Sequence, residues 1–183
     1  MQRSISYNLF LTVIMQLPDA EQLLAALTER LRPAVGETDV MIGIHTGGVW
    51  VAKRLHQALE ISSPLGVLDI SFYRDDYSKI GLHPQVKPSD LPFEVEGSRI
   101  ILVDDVLYTG RTIRAAVNEI FDYGRPACIH LATLIDRGGR ELPIAAQYVG
   151  AILPLPADKM LELKQESDGK LSLGVRDICL PEK

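Results

Sequence analysis

Between Ile100 and Thr112 the chain runs four consecutive apolar residues into Asp104-Asp105, then Val106-Leu107-Tyr108, then Thr109-Gly110-Arg111-Thr112. A helical pattern follows over Ile113–Tyr123, closed by Gly124. An unbroken apolar run predicts a strand buried on both faces, as in a parallel sheet. A strand that turns directly into a helix limits the chain to α/β architectures, which bind ligands outside the carboxyl ends of their strands.

The rest of the chain fits that frame. Asp19 is a predicted N-cap, and Leu23, Leu24, Leu27 and Leu31 form one apolar stripe. Asp39–Ile44 reads as a buried strand, His45–Gly48 as a tight turn, and Val49–Leu59 as a helix. Leu65–Phe72, Arg99–Val103 and Ile129–Ile135 read as further strands, and Tyr148–Leu153, Met160–Leu163 and Leu171–Val175 as short apolar pieces of a tail. Residues 73–98 show no sustained period and carry Pro84, Pro88 and Pro92. A loop of that length is uncommon in a compact domain and is often functional. Three places at strand ends are therefore candidate ligand contacts: His45–Gly48, the loop after Phe72, and Asp104–Thr112.

Composition narrows the function classes. The 183 residues suit one domain, and a formal charge of −5 argues against indiscriminate nucleic-acid or membrane binding. Cys128 and Cys179 have no CxxC spacing or histidine partner, so they are expected reduced, which fits a cytoplasmic setting. Leu9–Met15 is too short to span a bilayer and no small-residue cleavage site follows it. Residues 1–18 are expected to be an N-terminal extension, with Met15 as the expected start, and 19–183 the domain.

The turn after Asp104-Asp105 places backbone N–H groups at a helix N-terminus, a natural site for a dianionic phosphate. Gly110 permits close backbone approach, Thr109 and Thr112 add hydroxyl donors, and Arg111 adds charge. Two adjacent carboxylates at the strand end are strong acceptors for a vicinal diol. The same residues taken alone also fit a plain turn, a magnesium site, or the acidic pair of a phosphate-accepting receiver domain. Neither G-x-G-x-x-G nor a P-loop pattern occurs. Trp50 and Tyr123 are expected to pack, His56 to be a packed histidine, and Tyr73 and Tyr108 to flank the site.

ILVDDVLYTGRTI resembles the phosphoribosyl-diphosphate (PRPP) motif of type I phosphoribosyltransferases. GIHTGGVWVAKRL, DISFYRDDYS, DYGRPACIHLATLIDRGGRELPI and QYVGA extend the resemblance to the pyrimidine-operon regulatory protein/uracil phosphoribosyltransferase family, over about Asp19–Leu163. The resemblance implies a mostly parallel twisted sheet with helices on both faces, a flexible loop and a small C-terminal hood. It implies conversion of uracil and PRPP to UMP and diphosphate with Mg2+ held through PRPP, and with Asp104 and Asp105 as further possible contacts to the metal.

Asp104 and Asp105 would hold the ribose diol, and Leu107, Tyr108, Thr109, Gly110, Arg111 and Thr112 the 5′-phosphate. Thr46-Gly47 would meet the pyrophosphate, Arg74 would ride on a loop that closes over the site, and Arg137 and Leu161 would border the base. Segment 73–98 is the expected lid. Family members also bind messenger RNA in pyrimidine operons, and the resemblance suggests a homodimer or higher assembly.

Two departures bear on these expectations. The family's pyrophosphate loop usually reads T-R-G, whereas Thr46-Gly47-Gly48 lacks that cation, so weaker PRPP affinity is expected. The family's RNA-binding helix reads T-R-x-x-H, whereas here Thr28-Glu29-Arg30-Leu31-Arg32 puts a glutamate in place of an arginine. Likewise Ala157 stands where a lysine is usual. Arg30, Arg32, Lys53 and Arg54 are the residues left for a basic face. Alternatives are a regulatory RNA-binding or PRPP/UMP-sensing protein with little turnover, and a purine phosphoribosyltransferase.

Overall fold

The computed structural model describes residues 17–70 and 89–178. A helix α1 (Ala20–Leu31) opens the fold, its N-cap Asp19 accepting the Gln22 N–H at 2.9 Å. There follow β1 (Val40–Ile44), α2 (Gly47–Ala58), β2 (Gly66–Leu68), β3 (Arg99–Leu107), α3 (Arg111–Tyr123), β4 (Cys128–Asp136) and β5 (Tyr148–Ile152). The chain ends in a hairpin, β6 (Lys159–Gln165) and β7 (Leu171–Asp177).

Five strands pair in the order β2-β1-β3-β4-β5, all parallel, as the apolar strand patterns require. Leu24, Leu27 and Leu31 of α1 and Val51, Ala52 and Leu55 of α2 cover one face with Ile101 and Val103 of β3. Ile113, Ala116 and Ile120 of α3 cover the other, against Ile100 and Leu102. Alternate β3 residues thus feed opposite cores, and helices lie on both faces as expected. The antiparallel β6–β7 hairpin is the expected hood, and its Leu161, Leu163 and Leu171 join the α1–α2 core.

Glu21 fastens that hood. Its carboxylate accepts from Arg54 Nη1 and Nη2 (3.2 and 2.6 Å) and from the Leu171 N–H (2.8 Å), so one side chain joins α1, α2 and β7. These hydrogen bonds, Arg54 first and Leu171 second, lower the Glu21 pKa.

Several boundaries differ from the sequence expectation. β3 continues four residues past Val103, so the two aspartates lie on the strand and not in the turn. Gly47 and Gly48 are the first residues of α2, not part of a turn before it. β2 is only three residues long. The expected lid also narrows. Asp90 bridges Val67 through two backbone hydrogen bonds (2.7 and 2.8 Å) and Val95 is buried, so residues 89–98 are packed onto the sheet. Tyr123 does not pack, being 50% exposed. Arg74, Tyr73, His83, Cys179, segment 71–88 and residues 1–14 lie outside the described residues.

Candidate active site

In this strand order the chain reverses its direction of growth between β1 and β3, and the crevice at such a point is where open α/β sheets bind ligands. A cleft of about 500 Å³ lies there. It is lined by Thr46 and Gly47 from the end of β1, by Asp104 to Thr112 from β3 and α3, by Arg137 after β4, and by Leu161 of the hood. Every site residue expected from sequence within the described residues lines this cleft. Arg74 lies outside them. Trp50, Met160, Glu162 and Arg176 line it as well. Trp50 sits one helical turn beyond Gly47, a spacing that would have flagged it; the hood residues had no such signal.

Two helix N-termini meet at the cleft. α3 begins after Gly110, which adopts φ 93° and makes no side-chain cap. This is a left-handed conformation that glycine takes without penalty. α2 begins at Gly47 after Thr46, which also makes no side-chain cap; the His45–Thr46 peptide is cis. The Arg111 N–H at the start of α3 reaches Thr109 Oγ1 at 3.3 Å; the other first-turn N–H groups, with the positive end of each helix dipole, favour anions.

Asp105 stands between them. A Cβ added to Gly47 would lie 2.3 Å from Asp105 Oδ2 and 2.4 Å from its Cγ, so the carboxylate rests directly on the α2 N-terminus. Gly48 is equally constrained, since its Cβ would meet the Val103 carbonyl oxygen at 2.6 Å. Asp104 is 2% exposed, and its Oδ1 accepts the Asp105 N–H at 3.0 Å. The adjacent carboxylates therefore occupy different environments, one enclosed and one in the cleft.

Arg137 is 4% exposed, and its guanidinium lies over the Tyr108 ring at 3.8 Å, a cation–π contact. Its Nη2 donates to the Pro156 carbonyl at 3.2 Å, while its buried Nε has no partner. Arg137 thus lines the cleft as a buried cation with one donor left unmet. Arg111 Nε is 2.7 Å from Glu141 Oε2, so part of its charge is already compensated.

The residues named for a basic face are mostly engaged. Arg30 donates to the Val149 and Gly150 carbonyls of β5, Arg32 pairs with Glu29 at 3.1 Å, and Arg54 is held by Glu21. Lys53 is exposed. His56 contacts the Ser63 carbonyl at 2.6 Å, a structural role.

A parallel sheet with a strand-end acidic pair beside two helix N-termini and a small hairpin over the cleft is the arrangement of the type I phosphoribosyltransferase fold. Residues 12–155 match the phosphoribosyl transferase domain family. Chains of the same fold include a hypoxanthine phosphoribosyltransferase from Staphylococcus aureus (22% identity, TM-score 0.59, covering 78% of this chain and 77% of that one). A purine phosphoribosyltransferase from Pyrococcus horikoshii aligns at 29% identity and TM-score 0.56, covering 73% and 81%.

Among curated proteins, the chain is 58% identical over 143 residues to the Bifunctional protein PyrR of Nitrosococcus oceani, covering 77% of this chain and 81% of the relative. It is 51% identical over 170 residues to the Bifunctional protein PyrR of Pseudomonas fluorescens, covering 91% of this chain and 100% of the relative. The protein belongs to the PyrR family of phosphoribosyltransferases.

Proposed function

We propose that the protein transfers the 5-phosphoribosyl group of PRPP to uracil, giving UMP and diphosphate. The observation that carries this reading is the meeting of two helix N-termini at one cleft, with Asp105 resting on that of α2. PRPP has phosphate at both ends of a ribose, so it needs two anion sites with diol acceptors between. The loop Leu107–Thr112 suits the 5′-phosphate, Thr46-Gly47 the pyrophosphate, and Asp104 and Asp105 the ribose hydroxyls.

Loss of pyrophosphate from C1 leaves oxocarbenium character on the ribose, as in glycoside cleavage. The Asp105 carboxylate stabilises that charge from the cleft floor, while Asp104, enclosed and bonded to the Asp105 N–H, fixes its neighbour. Uracil N1 then forms the new bond to C1 as the C1–O bond to pyrophosphate breaks, and the N1 proton is given up to the leaving pyrophosphate or to water. The Arg137 guanidinium on the cleft wall is the donor for a uracil carbonyl oxygen, and Leu161 is the apolar wall of the same cleft. Arg74, outside the described residues, keeps the role that the family resemblance implies.

No group of three or more metal-ligating side chains occurs among the described residues. The oxygen donors present, Asp105 foremost, fit a Mg2+ ion that takes most of its ligands from PRPP and water. Bound there, Mg2+ would neutralise charge on the leaving pyrophosphate.

The description of the relatives as bifunctional supports a second activity, which the sequence resemblance points to as UMP-dependent control of pyrimidine-operon messenger RNA. The engaged α1 arginines and Glu29 leave little of the expected helix for RNA. Filter binding of leader RNA with and without UMP tests that reading. We further propose cytoplasmic action, since a substrate with PRPP's charge does not cross a bilayer. No helix among the described residues is long and apolar enough to cross a membrane. Among the described residues, Ile152, Phe121 and Tyr123 are large apolar side chains exposed outside the cleft and available to a homodimer or higher assembly. The deciding experiment is a PRPP-dependent assay across uracil, hypoxanthine and orotate. UMP formation with uracil alone is expected; no product at millimolar PRPP refutes the enzymatic reading, and hypoxanthine turnover redirects it to purines.

A further inference from the structure

The phosphate loop is held from outside by the segment that follows β4. Arg140 Nη1 donates to the carbonyls of Leu107 (3.2 Å), Tyr108 (2.5 Å) and Gly138 (3.3 Å). Its Nη2 is 2.5 Å from Asp136 Oδ2 and its Nε donates to the Ile144 carbonyl at 2.9 Å, so the guanidinium is fixed on every edge. The N–H groups of Glu141 and Leu142 both donate to the Thr109 carbonyl (3.0 and 3.2 Å), and the Arg137 N–H donates to Leu107 (3.0 Å). Three consecutive carbonyls, 107 to 109, are thus turned away from the cleft.

The peptide bonds here are trans. A trans peptide points its N–H opposite its C=O. The N–H groups of Tyr108, Thr109 and Gly110 therefore face the cleft, and none has a protein acceptor among the described residues. Successive inward N–H groups form an anion-binding nest.

We propose that Arg140 is a positioning residue for phosphate recognition: by gripping the loop's outer carbonyls it aims the loop's N–H groups at the ligand, which it never touches. This rests on the reading that Leu107–Thr112 holds the 5′-phosphate. Arg140 is roughly three-quarters buried, with its neighbour Glu141 adding the Arg111 pair. Without Arg140, the Leu107 carbonyl keeps the Arg137 N–H, but the Tyr108 carbonyl loses its donor and that peptide is free to turn.

The test titrates UMP, uridine and magnesium pyrophosphate into the wild-type protein, Arg140→Met and Arg140→Lys by calorimetry, with steady-state kinetics alongside. Arg140→Met should weaken UMP binding and raise the KM for PRPP at least tenfold, with pyrophosphate and uridine affinity changed less than twofold. Arg140→Lys, which keeps a donor near the Tyr108 carbonyl, should recover part of the loss and serves as the deciding variant if the methionine variant does not fold. Equal losses for all three ligands would mean general distortion of the cleft and overturn the proposal, as would UMP binding unaltered in both variants. Wild-type protein that binds UMP no better than uridine would instead refute the 5′-phosphate reading itself, leaving the two failures distinct.

Discussion

Restoring the family's arginine at position 47 should impair turnover, although it adds a cation to the pyrophosphate end. A Cβ there would lie 2.3 Å from Asp105 Oδ2. Ordinary heavy-atom contacts lie near 3.5 Å, so the carboxylate must retreat by about 1 Å. A misplacement of about 1 Å at a reacting centre costs on the order of 10²-fold in rate, or about 2.7 kcal/mol at about 1.36 per decade. A charge-assisted hydrogen bond from the new guanidinium to pyrophosphate returns about 1.5–3 kcal/mol, but bound PRPP gains it as well as the transition state.

Gly47→Ala should therefore lower kcat about a hundredfold. Gly47→Arg should lower kcat similarly while reducing the KM for PRPP. Neither loss reflects weaker folding, because alanine favours the first turn of α2 over glycine by up to about 1 kcal/mol. Steady-state assays at varied PRPP, in wild-type and Asp105→Asn backgrounds, check this. In the Asp105→Asn background the cost of Gly47→Ala should shrink if both act through the carboxylate. A Gly47→Arg variant turning over at the wild-type rate would refute the steric reasoning.

Asp105→Asn alone should reduce kcat by about 10² or more, since it removes charge aimed at the cationic ribose. In contrast, Glu29→Arg, on an exposed pair with Arg32, should leave kcat unchanged and shift stability by under about 1 kcal/mol. Arg137→Met should raise the KM for uracil at least tenfold yet leave thermal stability close to wild type, because replacing a buried unneutralised cation with an apolar side chain removes a desolvation cost. Glu21→Gln should loosen the hood at neutral pH. Glu21 has a folded pKa below its ordinary value of 4.5. Its stabilising contribution is thus complete above that value and is lost as pH falls through the lowered one. Denaturation of wild type and Glu21→Gln from pH 7 to 3 should show a stability gap that closes at the acid end.

Much of the fold was legible because its signals are local. The apolar runs in β1, β3 and β4 mark strands buried on both faces, and the stripe Leu24-Leu27-Leu31 marks α1. The extent of β3 was misjudged because charged residues look like the end of a buried strand, whereas Asp104 and Asp105 continue it into the cleft. The start of α2 was missed for a related reason. Glycine is a poor helix former, but a Cβ at Gly47 would push the Asp105 side chain aside and one at Gly48 would run into the β3 backbone. The clamp built by Arg140 was invisible as a clamp, since its partners are backbone carbonyls up to 33 positions away. The hydrogen bonding of Arg30 to β5 carbonyls is a tertiary contact of the same kind.

The parallel pairing of β1 with β3 sets Val40 beside Ile100 and Gly43 beside Val103, joining segments 60 positions apart. Thr46-Gly47 and Asp104-Asp105 therefore become neighbours only once a long loop has closed, a step that is slow and entropically costly. Half of the cleft has no meaning in a partly folded chain, and a ligand that bridges the two segments recognises the finished sheet alone. Substrate or product at a hundred times its Kd would then add about 2.7 kcal/mol to the stability of the whole fold. Nucleotide supply, beyond feeding the reaction, would set how long each copy of the protein survives proteolysis.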